Sequence, residues 1–461
     1  MAEWTTISST HLTEEWRFDS EYWRPIYLDN LKMIRAAGRG GLSTCQLKKV
    51  VTKVTGSAFY PSFVGYYSQK GIPFLRVADL GSLFLKRESM IRIDPAIISN
   101  HHQISTIRPG DIVIAKGGSI GGACILTDDF GESAVCRDVV AVLTSPDGVD
   151  PFYLAVFLNT KFGNLQLERN KSQQVQAHLT FPAVERIELA FPDTSTQQEV
   201  RNIALAGYAA QQDSHHYYTK ALQLLESELG LDKLSFKKPM GYTARLSELE
   251  ESRRSDPQHY QPKFNQLISH LSKLSTRRVR DIGTYNRRGI QPAYMDGGQF
   301  DVVNSQHLGP KHINYEELQK ISAGAFAASP EAHIRPNDIL IYTTGAYVGR
   351  TNVYLKDTPA FASNHVNILR LAPGIDTAYM SLVFQSVVGQ FQTLKHSRGS
   401  AQAELYPADI DRFIVPVIVP AQQKRIGNLV RESLKKQQDS KQLLEKAKTR
   451  VEQLIEEAVE R

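Results

Sequence analysis

Two glycine-bearing segments are the strongest candidates for chemistry in this sequence. The first reads Lys116-Gly117-Gly118-Ser119-Ile120-Gly121-Gly122, and the second reads Thr343-Thr344-Gly345-Ala346-Tyr347-Val348-Gly349 and is followed by Arg350. Glycine lets a backbone approach another group closely, and the backbone amides of such turns bind phosphate. Plain surface hairpins are the simpler interpretation. Phosphate contacts are favoured at Lys116, Gly117, Gly118, Ser119, Thr343, Thr344, Gly345, Tyr347 and Arg350.

Polar and basic side chains elsewhere in the chain are candidates for contacts with base edges. Arg, Lys, Asn, Gln and His carry the donors and acceptors that such contacts require. In the first half the candidates are Arg76, Arg137, Arg169, Lys171, Gln173 and Gln174. In the second half they are Asn304, Gln306, His307, Asn364, His365 and Arg398, while Arg287 and Arg288 are candidates for phosphate contacts. Taken singly, each is more often an ordinary surface residue.

Several sequence motifs of catalytic sites are missing. No glycine run is followed by GK[ST], and no GxGxxG opens a helix. The three cysteines, Cys45, Cys124 and Cys136, form no CxxC pair, and no histidines cluster at metal-ligand spacing. We therefore expect a chain that is not an enzyme and that has no cofactor or metal of its own. An enzyme of an unrecognised kind is the less favoured alternative.

Composition describes an ordinary globular protein. The chain has 461 residues, of which 41% are hydrophobic and 22% charged, and its length suits about two to four domains. A formal net charge of +6 permits a nucleic-acid partner without requiring one. The N-terminus lacks the pattern of a signal peptide, no apolar run reaches the ~18 residues of a membrane span, and cysteine is sparse. These features predict a cytoplasmic protein.

The chain contains one internal duplication. The segment Ile107–Ile114, with sequence IRPGDIVI, recurs as Ile334–Ile341, with sequence IRPNDILI, and a glycine-bearing turn follows each copy. Other residues repeat at nearly the same offset. These pairs are Arg17 and Asp19 with Arg254 and Asp256, Asp150 and Tyr153 with Asp376 and Tyr379, Gln176–Leu179 with Gln402–Leu405, and Gln197-Gln198 with Gln422-Gln423. A collinear series of this kind indicates two copies of one ancestral domain.

Each half has the same predicted order of elements. A short amphipathic helix comes first, at about 20–36 and 258–274. Strands follow, including Asp111–Ala115 and Val139–Leu143 in the first half and Ile339–Tyr342 and Val366–Leu371 in the second. A helix at about 151–164, or 377–391, interrupts the strands. The fold class is therefore α+β, with two tandem pseudo-symmetric strand-rich domains.

A long polar helix ends each half. The first is predicted from about Thr196 to Leu229, with Gly230 as its stop, and the second from about Ala421 to the C-terminus. Their apolar positions are spaced by three and four, which is typical of coiled coils, with Ser433, Gln437 and Ser440 as polar exceptions. The apolar positions are Val200, Ile203, Gly207, Ala210, Tyr217, Ala221 and Leu224 in the first, and Ile426, Val430, Leu444, Ala447, Val451, Leu454 and Ala458 in the second. We expect the two helices to pair antiparallel, with the other faces either solvated or docked to a partner. A helix of ~34 residues spans roughly 50 Å, which is longer than one turn of DNA.

In this order, the motifs resemble the specificity subunit of type I restriction–modification enzymes over nearly the whole chain. The resemblance rests on the duplicated strand and glycine turn, and on two motifs at the long helices. The first is the lead into each helix, FPDTSTQQ at Phe191–Gln198 and VPAQQ at Val419–Gln423. The second is the helix end LLESELGL at Leu224–Leu231. Asn337, in place of the glycine at position 110, and Thr343-Thr344 are departures in the second half.

The resemblance implies a modular DNA-reading subunit. Two target recognition domains, 1–194 and 232–420, would each read one half of a bipartite site on double-stranded DNA. The helical spacers, 195–231 and 421–461, would bind two methyltransferase (M) subunits and, through them, restriction (R) subunits in phage defence. S-adenosylmethionine, ATP and Mg²⁺ would belong to those partners. DNA methylation would thus be directed, but not catalysed, by this chain.

Two other functions are compatible with the same pattern. One is a protein scaffold that carries two interaction domains on a helical rod and binds no DNA. The other is an antitoxin-like or phage-derived regulator of a methyltransferase. The scaffold explains the duplication and the long helices equally well, but not the basic polar segments near the glycine turns.

Overall fold

The computed structural model describes residues 6–7, 17–59, 61–87, 90–117, 122–170, 178–236, 239–316, 318–399 and 402–461. These form two compact units. Unit 1 comprises Met1–Gln211 with Gln438–Arg461, and unit 2 comprises Gln212–Gln437. The boundaries fall inside the two long helices, whereas the sequence analysis separated helical spacers from domains. The difference arises because each long helix contributes buried apolar side chains to the core of both units.

The described part of unit 1 contains ten short strands and, before the first long helix, five α-helices. The strands are β1 (Ser43–Gln46), β2 (Val51–Thr55), β3 (Tyr67–Leu75), β4 (Ile91–Ile93), β5 (Thr106–Ile107), β6 (Ile112–Ala115), β7 (Ala123–Ile125), β8 (Ser133–Val135), β9 (Val139–Thr144) and β10 (Glu188–Phe191). The helices are α1 (Pro25–Arg39), α2 (Ala96–Asn100), α3 (Pro151–Asn159), α4 (Lys161–Arg169), α5 (Phe181–Glu185) and the long α6 (Thr194–Leu229). The predicted α+β class is confirmed.

Three sheets organise the strands of unit 1. One is antiparallel with order β2-β9-β6-β7, and a second has order β4-β3-β8-β5 with β3 and β8 parallel. The third is the antiparallel pair β1-β10. Strands β6 and β9 are almost wholly buried and β-branched, as strands covered on both faces should be. The candidate residues Lys116 and Arg137 lie next to these two strands, directly after β6 and two residues before β9.

Unit 2 repeats this topology strand for strand. Its helices are α7 (Leu246–Ser252), α8 (Pro262–Leu271), α9 (Val279–Ile282), α10 (Ala323–Ala327), α11 (Thr377–Gln385), α12 (Val387–His396), α13 (Pro407–Ile410) and the long α14 (Pro420–Glu460). Its strands are β11 (Thr276–Arg278), β12 (Gly283–Arg288), β13 (Phe300–Val303), β14 (Lys320–Ile321), β15 (His333–Ile334), β16 (Ile339–Tyr342), β17 (Thr351–Val353), β18 (Ala360–Ala362), β19 (Val366–Leu371) and β20 (Ile414–Pro416). The sheet orders are β12-β19-β16-β17, β14-β13-β18-β15 and β11-β20. The predicted duplication is therefore confirmed.

Buried hydrogen bonds repeat as well as strands. The Tyr153 hydroxyl donates to the Ala190 carbonyl at 2.9 Å, and the Tyr379 hydroxyl donates to the Pro416 carbonyl at 3.0 Å. A buried glutamine behaves in the same way at the start of each long helix, where its Oε1 accepts from the backbone of an N-cap aspartate. These pairs are Gln197 with Asp150 at 2.8 Å and Gln423 with Asp376 at 3.0 Å.

The helix predicted at 151–164, and its counterpart at 377–391, is in each case two helices with a sharp break. Thr160 is the N-cap of α4 and accepts from the Gly163 backbone, while Ser386 caps α12. A β-carbon at Gly163 would lie 2.4 Å from the Phe157 carbonyl oxygen. The glycine and the capping hydroxyl allow the chain to turn there, which the apolar periodicity did not indicate.

The two long helices run antiparallel within each unit. In unit 1, Arg450 pairs with Glu199 at 3.3 Å, and a β-carbon at Gly207 would lie 2.7 Å from Leu444 Cδ2. Partner numbers therefore fall along one helix as they rise along the other. In unit 2, Ser214 and Ser433 each donate a hydroxyl to the carbonyl of the other at 2.8 Å.

The buried stripe of the long helices differs in part from the predicted one. Leu225, Leu229 and Ile455 are buried, whereas Tyr217, Leu224 and Leu454 are only partly so. The serines that were expected as polar exceptions, Ser433 and Ser440, are buried inside it. A serine hydroxyl that donates to a backbone carbonyl of a helix has its hydrogen-bonding need met and can be buried. Hydropathy alone therefore does not identify serines as buried positions of the stripe.

The duplicated strand segment shows why one glycine was replaced. Gly110 has φ +93° and Asn337 has φ +69°, so both residues occupy the left-handed region. Asparagine is the side-chain-bearing residue that tolerates this conformation best.

Among the described residues, no helix is both long and apolar enough to cross a membrane.

Candidate nucleic-acid interface

In unit 1 two candidate arginines follow neighbouring parallel strands. Leu75 at the end of β3 lies beside Val135 at the end of β8, and the Cys136 N–H donates to the Leu75 carbonyl at 2.9 Å. Arg76 and Arg137 come within two residues of these ends. Because the strands run in the same direction, both arginines lie at one edge of the sheet.

Unit 2 places two asparagines at the same edge. Val303 at the end of β13 lies beside Ala362 at the end of β18, and the Ser363 N–H donates to the Val303 carbonyl at 3.0 Å. Asn304 and Asn364 follow. The positions of Arg76 and Arg137 in unit 1 thus correspond to those of Asn304 and Asn364 in unit 2.

A buried acceptor holds the first of these residues in each unit. The Arg76 N–H donates to Asp79 Oδ2 at 2.9 Å, and its guanidinium forms two further bonds of 3.1 Å to the same carboxylate, which is fully buried. In unit 2 the Asn304 N–H donates to His307 Nδ1 at 3.1 Å, and burial lowers the pKa of His307. The Asn304 side chain accepts from the N–H of Gln306, which is exposed.

The two glycine turns begin with the same backbone contacts. The Lys116 N–H donates to the Asp138 carbonyl at 2.8 Å, and the Lys116 carbonyl accepts from Leu179 at 2.9 Å. In unit 2 the equivalent residue is Thr343, whose N–H donates to His365 at 3.0 Å and whose carbonyl accepts from Leu405 at 2.9 Å. Gly117 and Thr344 then form equivalent bridges with His178 and Glu404.

The turn in unit 2 is held against the segment that carries Arg398. The Gly345 N–H donates to the Ala403 carbonyl at 2.8 Å, and Arg398 and Glu404 exchange backbone hydrogen bonds of 2.8 and 2.7 Å. The Arg398 guanidinium also forms a 2.9 Å ion pair with the buried Asp409. Beyond the turn, the Arg350 guanidinium lies 3.6 Å above the centre of the Tyr347 ring, which is 56% exposed.

Strand β12 adds the two neighbouring arginines. Arg287 is exposed, and Arg288 is partly buried and donates to the Leu405 carbonyl at 2.8 Å. The Arg288 guanidinium lies 4.7 Å from the centre of the Tyr406 ring. The structure therefore brings together Arg288, Thr343, His365 and Arg398, which are distant in sequence.

Three candidates are buried, namely Arg169, Thr343 and Thr344, and the contacts of the first two are structural. Arg169 is 9% exposed, and its guanidinium stacks 3.9 Å from the Tyr22 ring centre and donates to the Tyr22 carbonyl at 3.0 Å. Thr343 is completely buried, and its hydroxyl donates to the His365 carbonyl at 2.9 Å. These side chains stabilise the fold instead of presenting donors at the surface.

Five candidates lie outside the described residues. They are Gly118, Ser119, Lys171, Gln173 and Gln174. The letters from Gly117 to Gly121 also fit the GxSxG spelling of a nucleophile elbow, which connects a strand to a helix. The described elements on either side of these letters are the strands β6 and β7, which pair antiparallel, whereas an elbow has a strand followed by a helix.

Histidines near the Arg398 segment are buried as neutral bases. Burial and the neighbouring Lys395 lower the pKa of His396 to about 3, and burial also lowers the pKa of His259. His259 Nδ1 lies 2.6 Å from the Lys395 carbonyl, and the Arg254 guanidinium donates to the Ser397 carbonyl at 2.9 Å. Arg254, which repeats Arg17 in the sequence, thus fixes the end of α12 just before Arg398.

Sequence reasoning missed Asp79, Phe181 and Tyr406 as groups that hold the candidates in place, and it took His307, which is buried, for a residue that contacts bases. Asp79 and His307 orient the strand ends, and the rings of Phe181 and Tyr406 lie against Lys116 and Arg288. An available signal was that an aromatic residue followed by proline comes shortly after each duplicated QAxL segment, as Phe181-Pro182 two residues after Leu179 and as Tyr406-Pro407 directly after Leu405. Asp79 and His307 had no such signal, because the residues at these two equivalent positions are chemically different.

No protein-family model and no curated protein matches the chain. Solved structures do match it. The S subunit of a type I restriction-modification system from M. genitalium is 11% identical, covering 91% of this chain and 96% of that one with a TM-score of 0.47. The HsdS subunit of Thermoanaerobacter tengcongensis is 12% identical, covering 91% and 96% with a TM-score of 0.28.

Two of these solved structures are specificity subunits of type I systems. A third structure, described as the basis of complex assembly and conformational transition of the type I R-M system, is 14% identical and covers 91% of this chain and 97% of that one, with a TM-score of 0.30. The two specificity subunits are the kind of protein that the sequence motifs resemble. At these identities the similarity is one of fold.

Proposed function

We propose that this chain is the DNA-sequence-reading subunit of a type I restriction–modification system, with no catalytic centre of its own. Each unit reads one half of a bipartite site. The observation that carries the proposal is the repeated edge at which β3 and β8, or β13 and β18, end beside a glycine turn. Two copies of one scaffold that present different side chains at equivalent positions suit a reader of two unlike half-sites.

The side chains at this edge favour different bases in the two units. Arginine forms bidentate hydrogen bonds to guanine, whereas asparagine does so to adenine. Arg76 and Arg137 in unit 1 stand where unit 2 has Asn304 and Asn364, with His365 and Gln306 exposed nearby. We therefore expect the half-site of unit 1 to depend on guanine, and that of unit 2 on adenine.

The long helices are the proposed docking sites for M subunits and, through them, R subunits. In unit 2 a groove between α6 and α14 is lined by Leu224 and Leu429 together with Lys220, Arg425 and Glu432. An apolar strip between charges suits an amphipathic partner helix. S-adenosylmethionine, ATP and Mg²⁺ would be bound by those partners.

Binding to DNA with the methyltransferase present tests the proposal. Affinity should be weak for the chain alone, should increase with the partner, and should fall steeply with salt as phosphate contacts are screened. Fluorescence anisotropy on duplexes from cognate genomic DNA measures all three. The protein scaffold, which is the alternative, predicts partner binding with no DNA binding at any salt concentration.

Substitution within one unit tests the assignment of half-sites. The double variant R76N/R137N should change the preferred bases in one half-site only, by about 1–3 kcal/mol per lost bidentate contact. Exchange of residues 40–190 for another recognition domain should likewise alter one half. The matched control is K48A, which removes a positive charge from an exposed residue of unit 1. A change in both half-sites would contradict the model of two readers.

A further inference from the structure

Each unit holds one cation against an aromatic ring at the same place, but supplies the cation from a different strand. In unit 1, Lys116 Nζ lies 5.2 Å from the centre of the Phe181 ring. In unit 2, the Arg288 guanidinium lies 4.7 Å from the centre of the Tyr406 ring. Phe181 is the first residue of the short helix α5, whereas Tyr406 is the N-cap residue of the corresponding helix α13, so the two rings stand one position apart at the start of equivalent helices.

Strand register shows that the two cations are not duplicated residues. Lys116 follows β6, and its counterpart after β16 is the buried Thr343. Arg288 ends β12 opposite Asn367, and the equivalent place after β2 is Gly56. Unit 1 therefore has no side chain where unit 2 has its arginine, and unit 2 has a buried threonine where unit 1 has its lysine.

The packing at Gly56 explains the exchange. A β-carbon there would lie 3.0 Å from both Phe181 Cζ and the Val139 carbonyl oxygen. The Phe181 ring thus fills the space that the Arg288 side chain occupies in unit 2. A cation can approach this ring only from the neighbouring strand, where Lys116 is.

Neither cation forms an ion pair with a carboxylate among the described residues, and in unit 2 the Glu404 carboxylate is bonded instead to the Tyr406 hydroxyl. Within the described residues, Arg76, Arg137 and Arg398 have carboxylate partners, whereas Lys116 and Arg288 have none within ion-pairing distance. A ring fixes a cation in place without neutralising it. In both units a cation lies against an aromatic ring without a carboxylate as ion-pair partner, although the cation comes from a different strand in each unit. Such a cation suits an anionic ligand that both units share.

We propose that Lys116 with Phe181, and Arg288 with Tyr406, are equivalent anchors for one DNA backbone phosphate in each unit. This inference rests on the proposed function and assigns separate tasks within it. The anchor positions the duplex and is indifferent to sequence, while residues at the strand ends discriminate bases. Phosphodiester is the anionic group that two unlike half-sites have in common.

Salt dependence separates an anchor from a base-reading residue. The variants K116A and R288A are compared in the full chain with its methyltransferase, on a duplex carrying the site and on a random duplex of equal length. Each should lose about 5- to 10-fold in affinity at 0.1 M salt on both duplexes, and the slope of log K against log salt should decrease by about 0.9. The ratio of affinities for the two duplexes should not change.

Conservative and matched variants decide whether the charge itself is responsible. R288K should keep the slope and R288Q should lose it, while R277A, which removes the charge of an exposed residue of β11, should keep it. An unchanged slope in K116A and R288A would overturn the anchor, as would a changed ratio between duplexes. If the unsubstituted complex binds no duplex, the proposed function itself fails.

Discussion

Replacing Gln197 or Gln423 with alanine should destabilise the protein to a similar degree, because the two side chains do the same work in the two units. Gln197 is 7% exposed; it donates to the Pro192 carbonyl at 2.8 Å and accepts from the Asp150 N–H at 2.8 Å. Alanine removes both bonds and leaves two buried backbone groups without partners. At about 1–2 kcal/mol for each such group, the loss is about 2–4 kcal/mol. Gln423 makes the corresponding bonds at 2.7 and 3.0 Å.

Urea unfolding measures this loss. With a slope of about 2–3 kcal/mol per molar urea, the midpoint should fall by about 1 M in each variant. Circular dichroism follows both variants, and tryptophan fluorescence follows Q197A, since all three tryptophans lie in the first 23 residues. The control is Q198A, whose side chain is exposed and bonds only to Asn202. The reasoning is refuted if Q198A loses as much stability as Q197A, or if Q423A is unaffected.

Three further predictions concern single residues. R169A should lower the urea midpoint, because it removes the stack on Tyr22 and a hydrogen bond at a cost of about 2–3 kcal/mol of stability. It should leave the preferred bases of the half-site unchanged. A shift in those bases would show that Arg169 contacts DNA. His396 is neutral in the fold with a pKa of about 3, below its unfolded value of 6.5, so stability should fall as pH drops from about 6.5 toward 3. The stability of the H396Q variant should fall less between pH 7 and pH 5 than that of the unsubstituted protein. Equal losses of stability in the two proteins would contradict this. Asn337 has φ +69°, so N337V should lose about 1–2 kcal/mol of stability in a thermal melt, whereas N337G should be tolerated. Equal melting temperatures of the two variants would show that the turn relaxes.

The duplicated fold could be predicted because its sequence signals are local. The IRPGDIVI segment and its copy contain a β-branched run and a turn, and both became strands at the expected places. The stop of α6 at Gly230 was likewise readable, since that residue takes φ +63°. Local chemistry of this kind specifies elements and their order.

The contacts that assemble the interface could not be read in the same way. Arg288, Leu405 and Thr343 meet only because β12, β16 and the segment before α13 are brought together by sheet pairing. Arg169 looked like an exposed basic residue, and its burial depends on rings more than 140 positions away in the chain. Such contacts depend on how distant strands and helices are brought together in the fold. They therefore cannot be predicted from any short segment of the sequence.

Methylation mapping of whole genomes tests the central claim most directly. Single-molecule sequencing of cells with and without this chain would compare every methylated motif. A bipartite, asymmetric motif should disappear on deletion, return with the unsubstituted chain, and return with one altered half when the chain carries R76N/R137N. An identical set of methylated motifs with and without the chain would contradict the account.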